Sequence, residues 1–372
     1  MSVEYQGLYK KIFTFWEPEE SLTPYLQLCL KTWERRLPQY EIIILNYSNL
    51  DNYIPAGTYD ISLLKKFTLM MQKDAVMVAV LAEHGGIFMD VDTIALRDIH
   101  PIIEKLNETE AVMFSTHCAF LAARPGSYML KLWLKVIQNK MLSIPDDGQD
   151  LKNLPWDFIA NSTLESAMDE IIMSNKLAGA IQKYAVDSWA GYLKDKTKKD
   201  DGKAFRGRAL LYRISNFILA RKRKMFFRTV YKKYLIMLDR VEYGFIPEAK
   251  YFPSRFMEPQ EKYMQFWFAN HGYEATKQAL ETNSKARCGA LYPPLCGIVQ
   301  LTNSATLRFR NWSFTNNHDI KEVFTNKQTL IGLHNSWTPQ WYKDFSEKDV
   351  LEHDCLLSRT LKHLLENQTA MQ

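Results

Sequence analysis

The stretch His84-Gly-Gly-Ile-Phe-Met-Asp90-Val-Asp92-Thr93 decides the reading of this chain. Two glycines stop the helix before them, a short apolar strand follows, and two carboxylates stand at its far end. In open α/β sheets, ligands bind beyond the carboxyl ends of the strands. Asp90 and Asp92 are at i and i+2, so in a regular strand they share one face. Two neighbouring carboxylates repel unless a cation lies between them. Hard divalent ions such as magnesium and manganese take such ligands and keep places for substrate phosphate oxygens. An isolated Asp-x-Asp is common, and it reads equally as a turn with two solvated side chains. Its position after a buried strand and a Gly-Gly stop favours the site.

Outward from this segment the chain alternates. Lys11 to Trp16 reads as a buried first strand, and Pro24 to Leu37 as a helix with Leu26, Cys29, Leu30 and Trp33 on one face. Glu41-Ile-Ile-Ile-Leu45 is a continuous apolar strand of the parallel-sheet kind. The spacing predicts a helix over 62–84, strands at 87–89, 111–114 and 119–122, and helices over 127–140 and 162–175. The tail predicts strands near 297–301 and 329–333 and a helix over 347–366. Strand and helix in this alternation predict an open α/β sheet of Rossmann type.

Asp74 admits two readings. As the N-cap of a helix running to His84 it would be a plain cap. That helix spans roughly 15 Å and the returning strand roughly 16 Å, so Asp90 and Asp92 would arrive level with the helix N-terminus, an anion-binding end. Asp74 would then face the ligand. His84 and His117 read as structural, and Asp157 as a helix cap or an acceptor-binding residue, the cap being favoured.

The chain has 372 residues, 47% of them apolar and 24% charged, which fits a folded globular protein rather than a disordered or fibrous one. The longest apolar run is eight residues, Ala75 to Ala82, against roughly 20 for a membrane span. The N-terminus does not read as a secretory signal. Five scattered cysteines (Cys29, Cys118, Cys288, Cys296 and Cys355) form no CxxC pair, so they read as free thiols of a reducing cytoplasm. Residues 194–233 carry 15 Lys or Arg against three Asp, although the whole chain has a net charge of only +5. That segment calls for an anionic partner. From Phe205 it reads as a helix mixing Leu210, Phe217 and Phe226 with Arg213, Arg221 and Lys224, a composition suited to an anionic membrane surface or to packing on the body. No nucleic-acid-binding signature is present, and no nucleic acid is expected as a partner.

The residues 67–93 resemble the bacterial glycosyltransferases with a DXD sugar-binding region, including the capsular polysaccharide synthesis type. Asp74, Leu81, Gly85, Gly86, Asp90, Asp92 and Thr93 fall in register with that pattern. Lys11 to Trp16, Trp33 to Tyr47 and Ala119 to Ser127 are similar to its flanking strands, and Leu333-His-Asn-Ser-Trp337 to its closing element. Where the family has an arginine, this chain has Met77. The charge there is lost, changing the donor sugar, or another cation substitutes. The resemblance implies a GT-A fold, a nucleoside-diphosphate sugar donor (a UDP-sugar), a saccharide acceptor that is lipid-linked in one version, Mn2+ or Mg2+ on the diphosphate, and retaining transfer. It implies Asp92 as metal ligand, with Asp90 on the ribose, the sugar or the metal, and Asp74 beside them. It implies Phe15 and Trp16 next to the nucleotide, with Trp16 stacking on the base. His334 would complete the metal octahedron while Ser336 and Trp337 donate to phosphate; otherwise His334 is a surface residue beside a packing Trp.

The expected organisation is an α/β core over 1–193, a basic helical insertion over 194–236, and the rest of the core with the closing segment over 237–372. The expected location is cytoplasmic, peripheral at the inner face of the membrane. Two alternatives are a transferase of this fold acting on a protein acceptor, and a non-enzymatic protein binding membrane or nucleic acid. Oligomeric state is not readable from the sequence.

Overall fold

A computed structural model describes residues 10–114, 117–144, 150–155, 157–177, 180, 232–238, 274–275, 278–279, 281–282, 309–324 and 328–366. Six strands form the central sheet: β1 (Lys11–Phe15), β2 (Glu41–Leu45), β3 (Gly86–Met89), β5 (Ala111–Phe114), β6 (His117–Ala123) and β7 (Leu235–Leu238). Their order is β2-β1-β3-β6-β5-β7. β1 lies parallel to β2 and β3, and β7 parallel to β5, whereas β6 runs antiparallel to both β3 and β5. Five strands thus point one way and β6 the other, consistent with a GT-A type α/β fold. From β1 the chain goes to one neighbour, β2, then crosses back to the other, β3. This reversal of direction opens a crevice at the carboxyl ends of β1 and β3.

Alternation along the strands feeds two cores. Phe13, Phe15 and Phe88 point into one, with α3 (Leu69–His84), α5 (Tyr128–Leu142) and α6 (Asn161–Ser174) supplying Val78, Trp133 and Met168. Ile12, Ile87 and Met89 point into the other, against Leu26 and Trp33 of α1 (Pro24–Arg36) and Leu357 and Leu361 of α9 (Leu356–Glu366). Each such side chain, fully buried, contributes about 1.5–3 kcal/mol.

Two expected helices are split, each for a local reason. In 62–84, Asp60 caps a short α2 (Ile61–Leu64) by accepting from the Ser62 and Leu63 N–H groups. Thr68 then starts α3 by accepting from the Met71 N–H. Two capping side chains therefore make two helices. In 347–366, a Ser346–Asp349 capping box starts α8 (Glu347–Glu352), His353 turns extended, and α9 begins at Leu356. The Gly-Gly stop is required: Gly85 has φ +64°, and a Cβ there would lie 2.4 Å from the Pro125 nitrogen.

A second, two-stranded sheet pairs β4 (Thr93–Ala95) antiparallel with β8 (Leu330–Gly332), Thr93 opposite Gly332. It carries the C-terminal segment onto the end of β3. Short helices α4 (His100–Ile103) and α7 (Gln340–Lys343) flank it. Of the expected insertion 194–236, only 232–236 are described. β7 begins inside its boundary at Leu235, and Lys232 pairs with Glu108 of the body at 2.7 Å. The remainder of that basic segment and the expected strand at 297–301 lie outside the described residues. Cys29, Cys118 and Cys355 are buried free thiols. Among the described residues no helix is long and apolar enough to cross a membrane.

Candidate active site at the strand-order reversal

β3 ends at Met89, and Asp90 N–H donates to the Ala119 carbonyl at 2.8 Å, the last tie of this chain to β6. The backbone then turns: the Thr93 N–H closes back on the Asp90 carbonyl at 3.0 Å. Asp90 and Asp92 consequently sit in a tight turn between β3 and β4. They do not occupy one face of a continuing strand, as the i, i+2 spacing led one to expect. The two side chains have different partners.

Asp90 meets Lys73. The Lys73 Nζ lies 2.8 Å from Asp90 Oδ1 and 2.7 Å from Asp74 Oδ1. Asp74 is no N-cap, because α3 begins one and a half turns earlier at Thr68. It sits inside the helix, only 4% exposed. Burial pushes its carboxyl up to about 6, although Lys73 opposes the shift. Burial alone would lower the Lys73 ammonium, but Asp74 and then Asp90 outweigh that and hold it above its usual value. The structure brings Asp74 and Asp90 together through a lysine that the sequence reading passed over. Cys118 of β6 also lies in the field of Lys73 and donates toward Asn161 Oδ1 at 3.6 Å, so the start of α6 borders the same region. α6 itself has Ala160 at its cap position, with no capping side chain there.

Asp92 meets the C-terminal segment. Its carbonyl accepts from Leu333 N–H at 2.9 Å, and its Oδ2 from Asn335 N–H at 2.7 Å. Tyr25 of α1 donates its hydroxyl to Asn335 Oδ1, and Trp33 of α1 donates to the Thr93 carbonyl at 2.6 Å. Asp92 is 8% exposed. Burial, then the charge of Asp90, push its carboxyl up to about 7, against the Asn335 hydrogen bond and the nearby His334. Lys343 of α7 and, through it, Arg310 complete the positive surroundings.

The other expected residues divide. His334 lies near Asp92 and packs against Trp337, the rings tilted by 35° with centroids 4.0 Å apart. Trp337 is buried at 9%, its carbonyl accepting from Arg310 Nε at 2.8 Å, and Ser336 is exposed. At the end of β1, Phe15 is 2% exposed and packs edge-on to Tyr47, a core position with no surface for a nucleotide. Trp16 is half-buried at the crevice, with its Nε1–H given to Ser21 Oγ at 2.9 Å. His84 is structural as expected, its Nε2 2.8 Å from the Tyr53 carbonyl.

Does this arrangement suit a divalent ion? The chemistry of the donors does: the charge of Asp90 raises the proton affinity of Asp92, and a buried Asp92 oxygen is of the hard type such ions take. A preformed three-ligand centre is not there. Among the described residues, no group of three His, Cys, Asp or Glu is placed to hold a metal. The expected trio of Asp90, Asp92 and His334 is therefore not assembled, since Asp90 is drawn to Lys73.

The sheet, consistent with a GT-A type fold, carries an Asp-x-Asp turn at its reversal point. Residues 23–110 match the family model described as a glycosyltransferase sugar-binding region containing a DXD motif. The match runs from α1 to the residue before β5 and takes in Lys73, Asp74, Asp90 and Asp92; it supports a glycosyltransferase, which would bind a nucleotide-sugar donor and an acceptor. No curated protein matches the chain.

Proposed function

We propose that the protein is a metal-dependent glycosyltransferase of the bacterial capsular type, moving a sugar from a UDP-sugar to a saccharide acceptor with retention of configuration. The observation that carries this reading is the Asp90–Thr93 turn at the crevice between β1 and β3, with a buried Asp92 clamped by a segment from the other end of the chain. Asp92 would hold Mn2+ or Mg2+, the diphosphate and water filling the other positions. The ion would neutralise charge developing on the leaving diphosphate. Asp90 and Asp74 contact the donor, Trp16 presents its ring to the base, and His334, Ser336 and Trp337 close over the phosphates. Lys343 and Arg310 add positive field on the same side. The core over 1–193 and 237–372 carries this chemistry. The basic insertion at 194–236 holds the protein on the anionic inner face of the membrane, where a lipid-linked acceptor resides. Its 15 basic residues support that placement.

A thermal-shift screen of nucleotide sugars with and without manganese tests the reading. Ligand binding to the native state raises the melting temperature. A UDP-sugar should do so only with manganese, and chelator should reverse it. Equal shifts in excess chelator would sink the metal assignment, and no shift with any nucleotide sugar would sink the function.

A further inference from the structure

Lys73 is the internal cation of this site. Its side chain is 12% exposed, that of Asp74 5% and that of Asp90 23%, and one Nζ serves both carboxylates. One turn further along the same face of α3, Met77 is fully buried in the core and brings no charge. The positive charge of the helix thus stands at position 73. Asp92 receives different treatment: its Oδ2 is met by a neutral donor, the Asn335 N–H. The paired carboxylates of the motif thus differ in what touches them: a lysine ammonium at Asp90, and a backbone N–H at Asp92 with His334 and Lys343 in its wider field.

On the glycosyltransferase reading above, we infer that Lys73 is a positioning residue that reserves Asp90 for hydroxyl groups of the donor and keeps it off the metal. Lys73, shared with Asp74, offsets part of the Asp90 charge and fixes the direction of its carboxylate. Asp90 then competes less for the divalent ion, and its remaining acceptor capacity faces a ribose or sugar hydroxyl. The ion falls to Asp92, supplemented by diphosphate oxygens. Manganese alone therefore binds weakly, and the donor completes its coordination. Without Lys73, Asp90 becomes a second carboxylate ligand, so affinity for the metal alone rises while donor recognition falls. A role in folding alone produces no such opposite movement.

Manganese titration of the metal-free full chain by calorimetry tests this. The double variant Lys73→Met/Asp74→Asn removes one charge of each sign, leaving no unpaired carboxylate on α3 and the same net charge. It should bind manganese about tenfold more tightly, with KM for the donor raised. Adding Asp90→Asn should return the manganese affinity to that of wild type, and Lys73→Arg should keep it there. Unchanged or weaker manganese binding by the folded double variant would overturn the proposal. A check independent of α3 is Asp90→Asn alone, which should leave manganese affinity unchanged; a tenfold loss would overturn the proposal as well. Wild-type manganese binding that Asp92→Asn leaves untouched would instead bring down the donor-site reading, and this role of Lys73 with it.

Discussion

Asp90 and Asp92 are two residues apart and answer to different parts of the molecule. The partner of Asp90 is Lys73, 17 residues away on the helix that leads into the same strand. The partner of Asp92 is the Asn335 backbone, 243 residues away, itself bonded to Tyr25 of the first helix. One carboxylate is in contact with a lysine that it shares with Asp74. The other is buried on a neutral hydrogen bond, with His334 and Lys343 acting only through their field. The difference teaches that a short acidic motif is not one site with two equal ligands; the environment assigns each oxygen its task.

The comparison breaks most severely at Asp92. Asp92→Asn keeps an oxygen for the Asn335 N–H but removes the charge, and should lower kcat about 10²–10³-fold, a loss of roughly 3–4 kcal/mol in transition-state stabilisation. Steady-state transfer to acceptor measures it, with circular dichroism confirming an unchanged fold. Transfer at the wild-type rate would erase the distinction between the two carboxylates. Next is His334→Ala. If the imidazole reaches the ion bound at Asp92, manganese affinity should fall about tenfold; unchanged affinity leaves His334 as a packing partner of Trp337.

A pH series sharpens the contrast. The Asp92 carboxyl is raised in the folded protein to about 7 from an ordinary 3.8. The folded state therefore holds this proton more tightly than the unfolded chain. The resulting stability is present at low pH and lost as pH rises through about 7. Relative to Asp92→Asn, the metal-free wild type should melt at progressively lower temperature between pH 5 and pH 8, by at most a few kcal/mol equivalent. Because the ion needs the deprotonated form, manganese affinity should climb over the same interval. A melting difference independent of pH would show that Asp92 is charged throughout. The smallest effect is expected of Tyr25→Phe, which removes the hydroxyl bond to Asn335 and should cost about 1 kcal/mol of stability with little change in kcat.

Local signals were legible in the sequence. β1, β2, β3 and β5 lie within a residue or so of their expected places, because each is an apolar run bounded by Gly, Pro or charge. The Gly85-Gly86 stop and the carboxylates beyond it were readable for the same reason. The splits at 65–68 and 353–355 turn on Asp60, Thr68 and Ser346, whose capping competes with an unbroken periodic pattern. Lys73 went unread because a Lys beside an Asp on a helix resembles an ordinary solvated pair. The signal that could have found it was Met77, which left a buried acidic pair in need of a cation from nearby. Tyr25, Asn335 and Arg310 carry no motif at all. Their relation to Asp92 exists only through the β4–β8 pairing, which joins segments that no sequence window spans together.

That pairing also sets when the site can exist. During synthesis the Asp90–Asp92 turn leaves the ribosome with Lys73 already alongside it. The strand that completes Asp92 is hundreds of residues behind, at 5–20 residues per second on the order of tens of seconds later. Through that interval the nascent chain carries half a pocket, its β4 edge uncovered and Asp92 without its clamp. A ribosome-bound chain halted before Leu330 should accordingly retain the Lys73–Asp90 half and take up no manganese at Asp92, so that translation itself delays the first competent turnover.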